Sequence, residues 1–396
     1  MKFALLIPEG APDAPLAELD GRTPLQAAQL PNLDALARSG RLGTARTIPD
    51  DLPAHSEIAL LSTLGYDPRQ HRAGRAALEA RAAGITFGPR DLVLLCDFIN
   101  SADGRLLDVL AADVTNDEAQ AFVGVLNAHS PDEKLRFYTG RGHRNFCVWH
   151  ECKAQPALVT TPPTDMLGEP MRPHLPRGRG SRLLCDVLKR AEELLPPHDI
   201  NHVRRDLGEN PATGIWLWGN GPSPTLPMFR ERFGVSGALA SNAFLPRGLA
   251  RFLRWELLEA GEAPGESDPP LDGLARAACA AFAQFDLVCV HLRAADIAGH
   301  AGRASDKVAA LERIDVQLVA PLVESLRSHG DWRLLVMPAH ATLCQSRRHS
   351  LQRTLFLLAG SDIASNRGEA FDEINGQAGE MHLEHAWELM PYFLRR

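Results

Sequence analysis

Short apolar runs alternate with helix-length segments through the second half of the chain, and this alternation restricts the fold more than any other feature. The sequence predicts strands at Gly214–Trp218, Gly237–Ala240, Leu287–Leu292, Trp332–Met337 and Thr354–Leu358. It predicts helices between them at Gly248–Leu258, Leu271–Phe285 and Ser305–His329. Strands that alternate with helices in this way form a mostly parallel sheet flanked by helices. The predicted fold class is therefore α/β.

The first apolar run, Lys2–Pro8, predicts a buried parallel strand that ends at Glu9. Ligand sites of open α/β sheets lie at the carboxyl ends of the strands, so Glu9 is a candidate site residue. A second signal is the helix-compatible run Ser56–Leu64, which is closed by Gly65. Ser56 would begin this helix, where negative charge is favoured.

The middle of the chain has a different pattern, with shorter predicted elements from about residue 70 to residue 204. Its predicted strands are Leu92–Phe98 and Asn145–Trp149, and its predicted helices are Thr115–His129 and Ser181–Leu195. We expect this segment to be a smaller inserted domain. The expected division is a discontinuous core of residues 1–69 and 205–396 and an inserted cap or substrate domain of residues 70–204.

Composition limits the partners of the protein. A net charge of -7 gives no general attraction to nucleic acid or to anionic lipid, so an anionic ligand needs a local basic site. No apolar run approaches the length of a membrane span or signal peptide, so we expect a cytoplasmic protein. The seven cysteines never occur as CxxC, which argues against a zinc ribbon or a disulfide framework. The oligomeric state stays open.

Four polar residues near predicted strand ends suit a divalent metal ion. Asp296 and His300 are four residues apart and share one face of a helical turn, and His340 and His349 flank the next strands. Each residue alone is more often an ordinary buried polar group, and it is the combination that favours a metal. Ser56 alone would likewise be an ordinary helix cap.

Several arginines stand in turn-like surroundings where a guanidinium could bind a phosphate or a carboxylate. The three that we select as substrate-binding candidates are Arg75, Arg144 and Arg247. For any one of them the alternative is a solvated surface arginine.

Several segments, in this order, resemble the archaeal-type 2,3-bisphosphoglycerate-independent phosphoglycerate mutases, which belong to the alkaline phosphatase superfamily. They are Asp20–Ala28, Pro31–Ala37, Ser56–Pro68, Gly74–Ala80, Ile215–Gly219 and Asp296–His300. The resemblance extends over nearly the whole chain and is weakest in the inserted domain. It implies an alkaline phosphatase-like core with an inserted α/β cap domain.

The resemblance also implies a reaction and its cofactors. In that family a serine, here Ser56, takes the phosphoryl group of 3-phosphoglycerate and returns it to the 2-position, a step of glycolysis. Two divalent ions, manganese, magnesium or zinc, assist the transfer. The implied partner is therefore a small phosphorylated metabolite.

Carried over by position, the first ion would bind Asp296, His300 and His349, a complete set of ligands. The second would bind Glu9, His340 and Ser56, but Ala339 stands where the family has an aspartate. Glu9 also replaces an aspartate, and Leu95 replaces an arginine. These departures leave two alternatives open besides the mutase: a phosphatase or mutase for another phosphorylated metabolite, and a catalytically inactive member with a degraded second metal site.

Overall fold

The computed structural model describes residues 1–108, 114–152, 157–222, 224–261, 263 and 267–395. The chain forms two compact units, one of Met1–His71 with Thr225–Arg396 and the other of Arg72–Pro224. The second unit thus extends beyond residue 204, where the sequence placed the boundary. The reason is that the strand Gly214–Trp218 pairs with the strand Leu92–Ala102.

The strands are numbered in the order in which they follow one another along the chain. They are β1 (Lys2–Pro8), β2 (Arg41–Ala45), β3 (Leu92–Ala102), β4 (Arg105–Asp108), β5 (Leu135–Arg141), β6 (Arg144–Trp149), β7 (Gly214–Trp218), β8 (Gly237–Ala240), β9 (Glu256–Leu258), β10 (Leu287–Leu292), β11 (Trp332–Val336), β12 (Ala341–Leu343), β13 (Arg348–Ser350), β14 (Thr354–Gly360) and β15 (Met381–Leu383).

The α-helices lie between these strands. They are α1 (Pro24–Ala27), α2 (Pro31–Ser39), α3 (Ser56–Thr63), α4 (Arg75–Ala82), α5 (Asn116–Ala128), α6 (Ser181–Leu194), α7 (Asp199–Asp206), α8 (Phe229–Phe233), α9 (Phe244–Leu253), α10 (Leu271–Ala281), α11 (Ala294–Ala301), α12 (Ala304–Ile314), α13 (Ala320–Ser328), α14 (Glu373–Ala378) and α15 (Leu389–Phe393). Among the helices of the described residues, none is both long and apolar enough to cross a membrane.

The first unit is built on an eight-stranded sheet with the order β15-β2-β14-β11-β1-β10-β8-β9. From β11 to β9 all neighbouring strands are parallel, as the strand–helix alternation predicted. The strand β14 is antiparallel to both of its neighbours. The central strands are mostly apolar and are buried over nearly their whole length, as expected where helices cover both faces of a sheet.

The carboxyl ends of β1, β10 and β11 meet at one edge of this sheet, since the three strands are parallel neighbours. Gly10, two residues after the end of β1, brings the backbones of this edge into contact. Its φ of +73° favours glycine, and a Cβ there would lie 2.5 Å from the Cα of Asp296. The Gly10 amide donates to the carbonyl of His340.

Two helix predictions differ from the structure. The predicted helix Gly248–Leu258 is wrong beyond Leu253, because Arg254 adopts a φ of 60° that ends α9, and β9 follows. The predicted helix Ser305–His329 is interrupted by a π-helical turn at Asp315–Val319. There the Asp315 carboxylate accepts hydrogen bonds from the amides of Asn32 and Leu33 at the start of α2.

The second unit contains an antiparallel sheet in which β3 lies between β6 and β7. The strand β5 pairs with β6, and β4 pairs with the carboxyl end of β3. The helix α5 packs on β5, α6 packs on β7 and α4 packs on β3. Its long strand β3 is buried over most of its length. This unit therefore has a sheet and apolar core of its own.

Candidate functional site

The sheet edge of the first unit gathers most of the residues that the sequence singled out. Glu9 follows β1, Asp296 and His300 lie on α11, and His340 and His349 follow β11. Ser56 is the first residue of α3, and His55 occupies the cap position before it. The simplest interpretation of the sequence made Ser56 the cap of this helix. Because His55 holds the cap position, the Ser56 side chain does not cap the helix.

Asp296, His300 and His349 form a compact cluster of donor atoms. The Nε2 atoms of the two histidines are 2.9 Å apart. The Oδ1 atom of Asp296 lies 3.4 Å from Nε2 of His300 and 3.5 Å from Nε2 of His349. Ligands about 2.1 Å from a tetrahedral ion would be about 3.4 Å from one another. The spacing of the three donors therefore fits an ion.

The other nitrogens of the two histidines strengthen this fit. His300 directs Nδ1 at the carbonyl of Arg347, at 2.9 Å, and His349 directs Nδ1 at the carbonyl of Ala54, at 3.0 Å. A carbonyl accepts a hydrogen bond, so each Nδ1 carries the proton and each Nε2 presents a lone pair. Two lone pairs 2.9 Å apart repel one another unless a cation lies between them.

A second cluster lies beside the first and contains Ser56. Its hydroxyl Oγ is 3.0 Å from Nε2 of His340, and the same nitrogen is 3.0 Å from Oε1 of Glu9. All three residues are buried. Both contacts converge on one nitrogen, which differs from a serine–histidine–carboxylate triad, in which the histidine uses opposite nitrogens. Convergence on one point is the arrangement expected of ligands around an ion.

Thr342 connects the two clusters. Its hydroxyl donates to Oδ1 of Asp296 at 2.6 Å and lies 3.3 Å from Nδ1 of His340. The donor atoms of Asp296, His340 and His349 all lie within 4.8 Å of one another. The two clusters are therefore close enough for the carboxylate of Asp296 and the imidazoles of His340 and His349 to face one common space.

The carboxylates of both clusters are held in their charged form. Burial acts to raise the pKa of Glu9, but its interactions with His291 and His340 outweigh burial and hold the pKa well below its ordinary value. Burial also acts to raise the pKa of Asp296, but its interactions with His349 and His300 outweigh burial and hold that pKa well below its usual range. Charged carboxylates are the form that binds a cation.

Ala339 is fully buried beside His340, and its methyl group offers no donor atom. The second cluster therefore has three donors, from Glu9, Ser56 and His340. The structure places no side-chain donor of residue 339 in this cluster. It also shows that the longer Glu9 side chain reaches His340 at hydrogen-bonding distance.

His291 was missed by the sequence analysis, which treated Leu287–Leu292 only as an apolar strand. The residue is fully buried in β10, and its Nε2 lies 3.1 Å from Oε2 of Glu9. Its Nδ1 lies 3.2 Å from the hydroxyl of Ser241. The signal that could have revealed it is a titratable residue inside a fully apolar parallel strand, which needs a polar partner.

The helix that carries Asp296 and His300 is capped by a residue that the sequence analysis also missed. Asp268 accepts hydrogen bonds from the amides of Arg293 and Ala294 at the start of α11. Burial raises the pKa of Asp268. The Arg293 side chain lies 3.5 Å from Asp296 and 3.9 Å from Glu9, between the two carboxylates.

The three candidate substrate-binding arginines are not all in one unit. Arg247, in the first unit, donates to the carbonyl of Ser241 at 3.1 Å and lies 3.7 Å from Glu259. Arg75 and Arg144 belong to the second unit. None of the three is a fully solvated surface side chain, because each is at most 17% exposed.

Within the second unit, Arg75 and Arg144 form a cluster with Glu79, Asp97 and Trp218. Arg144 lies 2.7 Å from Glu79 and 2.7 Å from Asp97, and Arg75 lies 2.5 Å from Glu79. The Trp218 indole donates to Asp97 at 2.8 Å and lies about 5 Å from both guanidinium carbons. Two positive charges are thus matched by two buried carboxylates.

Comparison with known proteins gives consistent matches over the full chain. The sequence model of the family described as 2,3-bisphosphoglycerate-independent phosphoglycerate mutase matches residues 37–201. A Methanothrix thermoacetophila protein of that name is 39% identical over 380 residues, or 96% of each chain. A Geobacter sulfurreducens protein, named as a probable enzyme of this kind, is 33% identical over 100% of each chain.

Solved structures agree on the fold. The Pyrococcus horikoshii protein PH0037 matches with a TM-score of 0.80 and 26% identity, covering 99% of this chain and 96% of that one. A cofactor-independent phosphoglycerate mutase from Thermoplasma acidophilum matches with a TM-score of 0.61 and 24% identity, over 100% and 99% of the chains. The second match supports the fold alone.

Proposed function

The chain belongs to the 2,3-bisphosphoglycerate-independent phosphoglycerate mutases, and on that basis we propose that it interconverts 3-phosphoglycerate and 2-phosphoglycerate. The observation that carries the proposal is the position of Ser56, whose Oγ lies 3.0 Å from His340, beside Glu9 and at the start of a helix. A hydroxyl placed among metal-binding donors is the arrangement that an activated serine nucleophile requires.

We assign the ligands of two divalent ions from the donor sets. Asp296, His300 and His349 would hold one ion, and Glu9, His340 and Ser56 would hold the other. Mixed oxygen and imidazole donors suit manganese or zinc, and magnesium is the third candidate. When bound, such ions lower the pKa of the serine hydroxyl and offset the charge of the transferring phosphoryl group.

The protein's own residues order the transfer. Ser56 Oγ attacks phosphorus, the bond from phosphorus to the C3 oxygen of 3-phosphoglycerate breaks, and phosphoserine forms. The amides at the start of α3 stabilise its negative charge. After glycerate reorients, its C2 oxygen attacks the same phosphorus and Ser56 is released. The proton that leaves the C2 hydroxyl balances the one gained by the C3 oxygen, and no water is consumed.

Substrate binding needs positive charge around the phosphate and the carboxylate. We assign this role to Arg75, Arg144 and Arg247, because guanidinium groups bind both anions in a bidentate manner. The proposed partner is thus a small phosphorylated metabolite, and the proposed setting is glycolysis in the cytoplasm. The second unit, Arg72–Pro224, would serve as the substrate domain.

One observation favours a second candidate, phosphoryl transfer on a different phosphorylated metabolite. Arg75 and Arg144 already face the buried carboxylates Glu79 and Asp97. Burial raises the pKa of Asp97 despite the neighbouring Arg144. Carboxylates that neutralise two guanidinium groups weaken their attraction for a doubly charged phosphate. A less anionic substrate would fit such a cluster better.

The test is an enolase-coupled assay of purified protein with 3-phosphoglycerate and manganese, run beside an assay for free phosphate. We expect turnover in the coupled assay, and we expect Ser56→Ala to reduce it by about 10³-fold or more. Ser62→Ala, a buried serine in the same helix, is the matched control and should retain activity.

The outcomes separate the alternatives. Phosphate release without isomerisation would identify a phosphatase. Silence in both assays with manganese, magnesium and zinc would contradict the mutase and favour another substrate or an inactive protein. Equal activity of Ser56→Ala and wild type would remove Ser56 from the mechanism.

A further inference from the structure

The side chain of His291 is enclosed between Glu9 and Ser241. It is fully buried in the middle of the sheet, where a polar group needs hydrogen-bond partners. Its two nitrogens contact two different residues, at 3.1 Å for Glu9 Oε2 and 3.2 Å for Ser241 Oγ. The contacts define a continuous path from Ser241 through His291 and Glu9 to His340.

The two oxygens of Glu9 have separate partners. Oε2 faces His291, and Oε1 faces His340, which in turn faces Ser56. Glutamate has one more rotatable bond than aspartate, and ordering that bond costs conformational entropy. A donor that holds Oε2 removes this freedom before any ligand binds. Oε1 is then presented in one direction.

Ser241 sets the direction of the His291 proton. Its Oγ accepts a hydrogen bond from the amide of Ala243 at 3.3 Å, at the start of α9. The hydroxyl proton is therefore available for Nδ1 of His291. Nδ1 accepts that proton's hydrogen bond, so Nε2 carries the ring proton and donates it to Glu9.

We infer that Ser241 and His291 form a positioning pair that fixes Glu9 as a metal ligand in a cluster where Ala339 supplies none. The inference rests on the two-ion function proposed above. Partners that orient a ligand typically change metal affinity by about 10-fold to 100-fold when removed. The pair thus offsets part of the affinity that the missing carboxylate would have supplied.

The experiment compares two neutral variants that differ in where they place an amide donor. In His291→Gln the amide nitrogen reaches the former Nε2 position and keeps the hydrogen bond to Glu9. In His291→Asn it reaches only the former Nδ1 position, near Ser241. Manganese binding to the full-length protein is measured by calorimetric titration, with the affected ion identified as the one lost in Glu9→Gln.

We expect His291→Gln to bind the second ion within about 3-fold of wild type and His291→Asn to lose about 10-fold to 100-fold. Ser241→Ala should lose about 10-fold, the lower end of that range. The first ion should bind equally in all variants. Cys289→Ala, a buried substitution two residues earlier in β10, is the matched control and should bind both ions as wild type does.

Two results would overturn the inference and are distinguishable. Equal affinities of the Gln and Asn variants for the second ion show that His291 does not position Glu9, while the two-ion function stands. A wild-type protein that binds a single ion contradicts the two-ion function itself. If His291→Asn fails to fold, Ser241→Ala decides between support and rejection by the same titration.

Discussion

Two groups of buried carboxylates, one in each unit, differ in where their positive charge comes from. In the first unit, Asp296 lies beside His300 and His349, and Glu9 lies beside His340. In the second unit, Glu79 and Asp97 face the guanidinium groups of Arg75 and Arg144. Under the proposed function, the carboxylates of the first unit would be neutralised by cations from solution, whereas those of the second unit are already paired with arginine.

This difference shows how the same class of residue serves two purposes. Buried carboxylates cost free energy unless they are paired. A pairing with arginine is permanent and supports the fold, whereas a pairing with a bound ion is reversible and supports chemistry. Removing the bound ion should therefore lower activity, whereas removing Arg144 should lower the stability of the second unit in addition to weakening substrate binding.

The largest expected effect comes from removing divalent ions by a chelator. We expect activity to fall by about 10³-fold or more, because neither the nucleophile nor the phosphoryl charge is then stabilised. Hydrogen exchange should increase in α11 and β13 and stay unchanged in β3 and β7. Re-addition of manganese is the control and should restore activity. Full activity without ions would contradict the comparison, because the carboxylates and histidines of the first unit would then need no cation.

The second largest effect is expected from Arg144→Met. The substitution leaves Glu79 and Asp97 buried with less positive charge, which typically costs about 3–5 kcal/mol. Urea denaturation measures the loss of stability in the whole protein. Hydrogen exchange in β3 and β6 measures it in the second unit. Arg90→Met is the matched control, because Arg90 and Glu151 form an exposed pair, and such pairs contribute at most about 1 kcal/mol. Equal losses in both variants would contradict the proposed role of the cluster.

The smallest effect concerns Asp268→Asn. Asparagine keeps one oxygen that accepts from the amides of Arg293 and Ala294, but it lacks the negative charge at the start of α11, so the helix should lose about 0.3–1 kcal/mol. Affinity for the ion held by Asp296 and His300 should fall with it, measured by titration with manganese. The exposed Asp272→Asn is the control and should change neither quantity. If ion affinity is unchanged in Asp268→Asn, the contact between Asp268 and the start of α11 does not contribute to ion binding.

Much of the sheet could be predicted because its strands are short apolar runs with polar ends. The predicted bounds of Leu287–Leu292 agree with β10. Those of Gly214–Trp218 agree with β7, but the predicted parallel core sheet was wrong for this strand, which pairs antiparallel with β3 in the second unit. The helix Gly248–Leu258 was mispredicted because Arg254 adopts a left-handed conformation that favours glycine, and no glycine or proline marks the end of α9.

The site was predictable where its donors follow strands or share a helical turn, as Asp296 and His300 do. Contacts between distant parts of the chain were not. His291 lies 282 residues from Glu9, and only the parallel pairing of β1 and β10 brings them together. The partners of Arg144 depend in the same way on tertiary packing. Local pattern carries no information on such pairs.

Gly10 makes the geometry of the sheet edge insensitive to substitutions elsewhere in the first unit. Its backbone meets those of Asp296 and His340 directly, without an intervening side chain. Separations set by direct main-chain contact and a backbone hydrogen bond do not depend on the rotamer or size of any side chain. Core substitutions elsewhere in the first unit can therefore accumulate, lowering stability, while the spacing of the donor atoms stays the same. The sequence can in this way change at many positions while the geometry of the site stays constant.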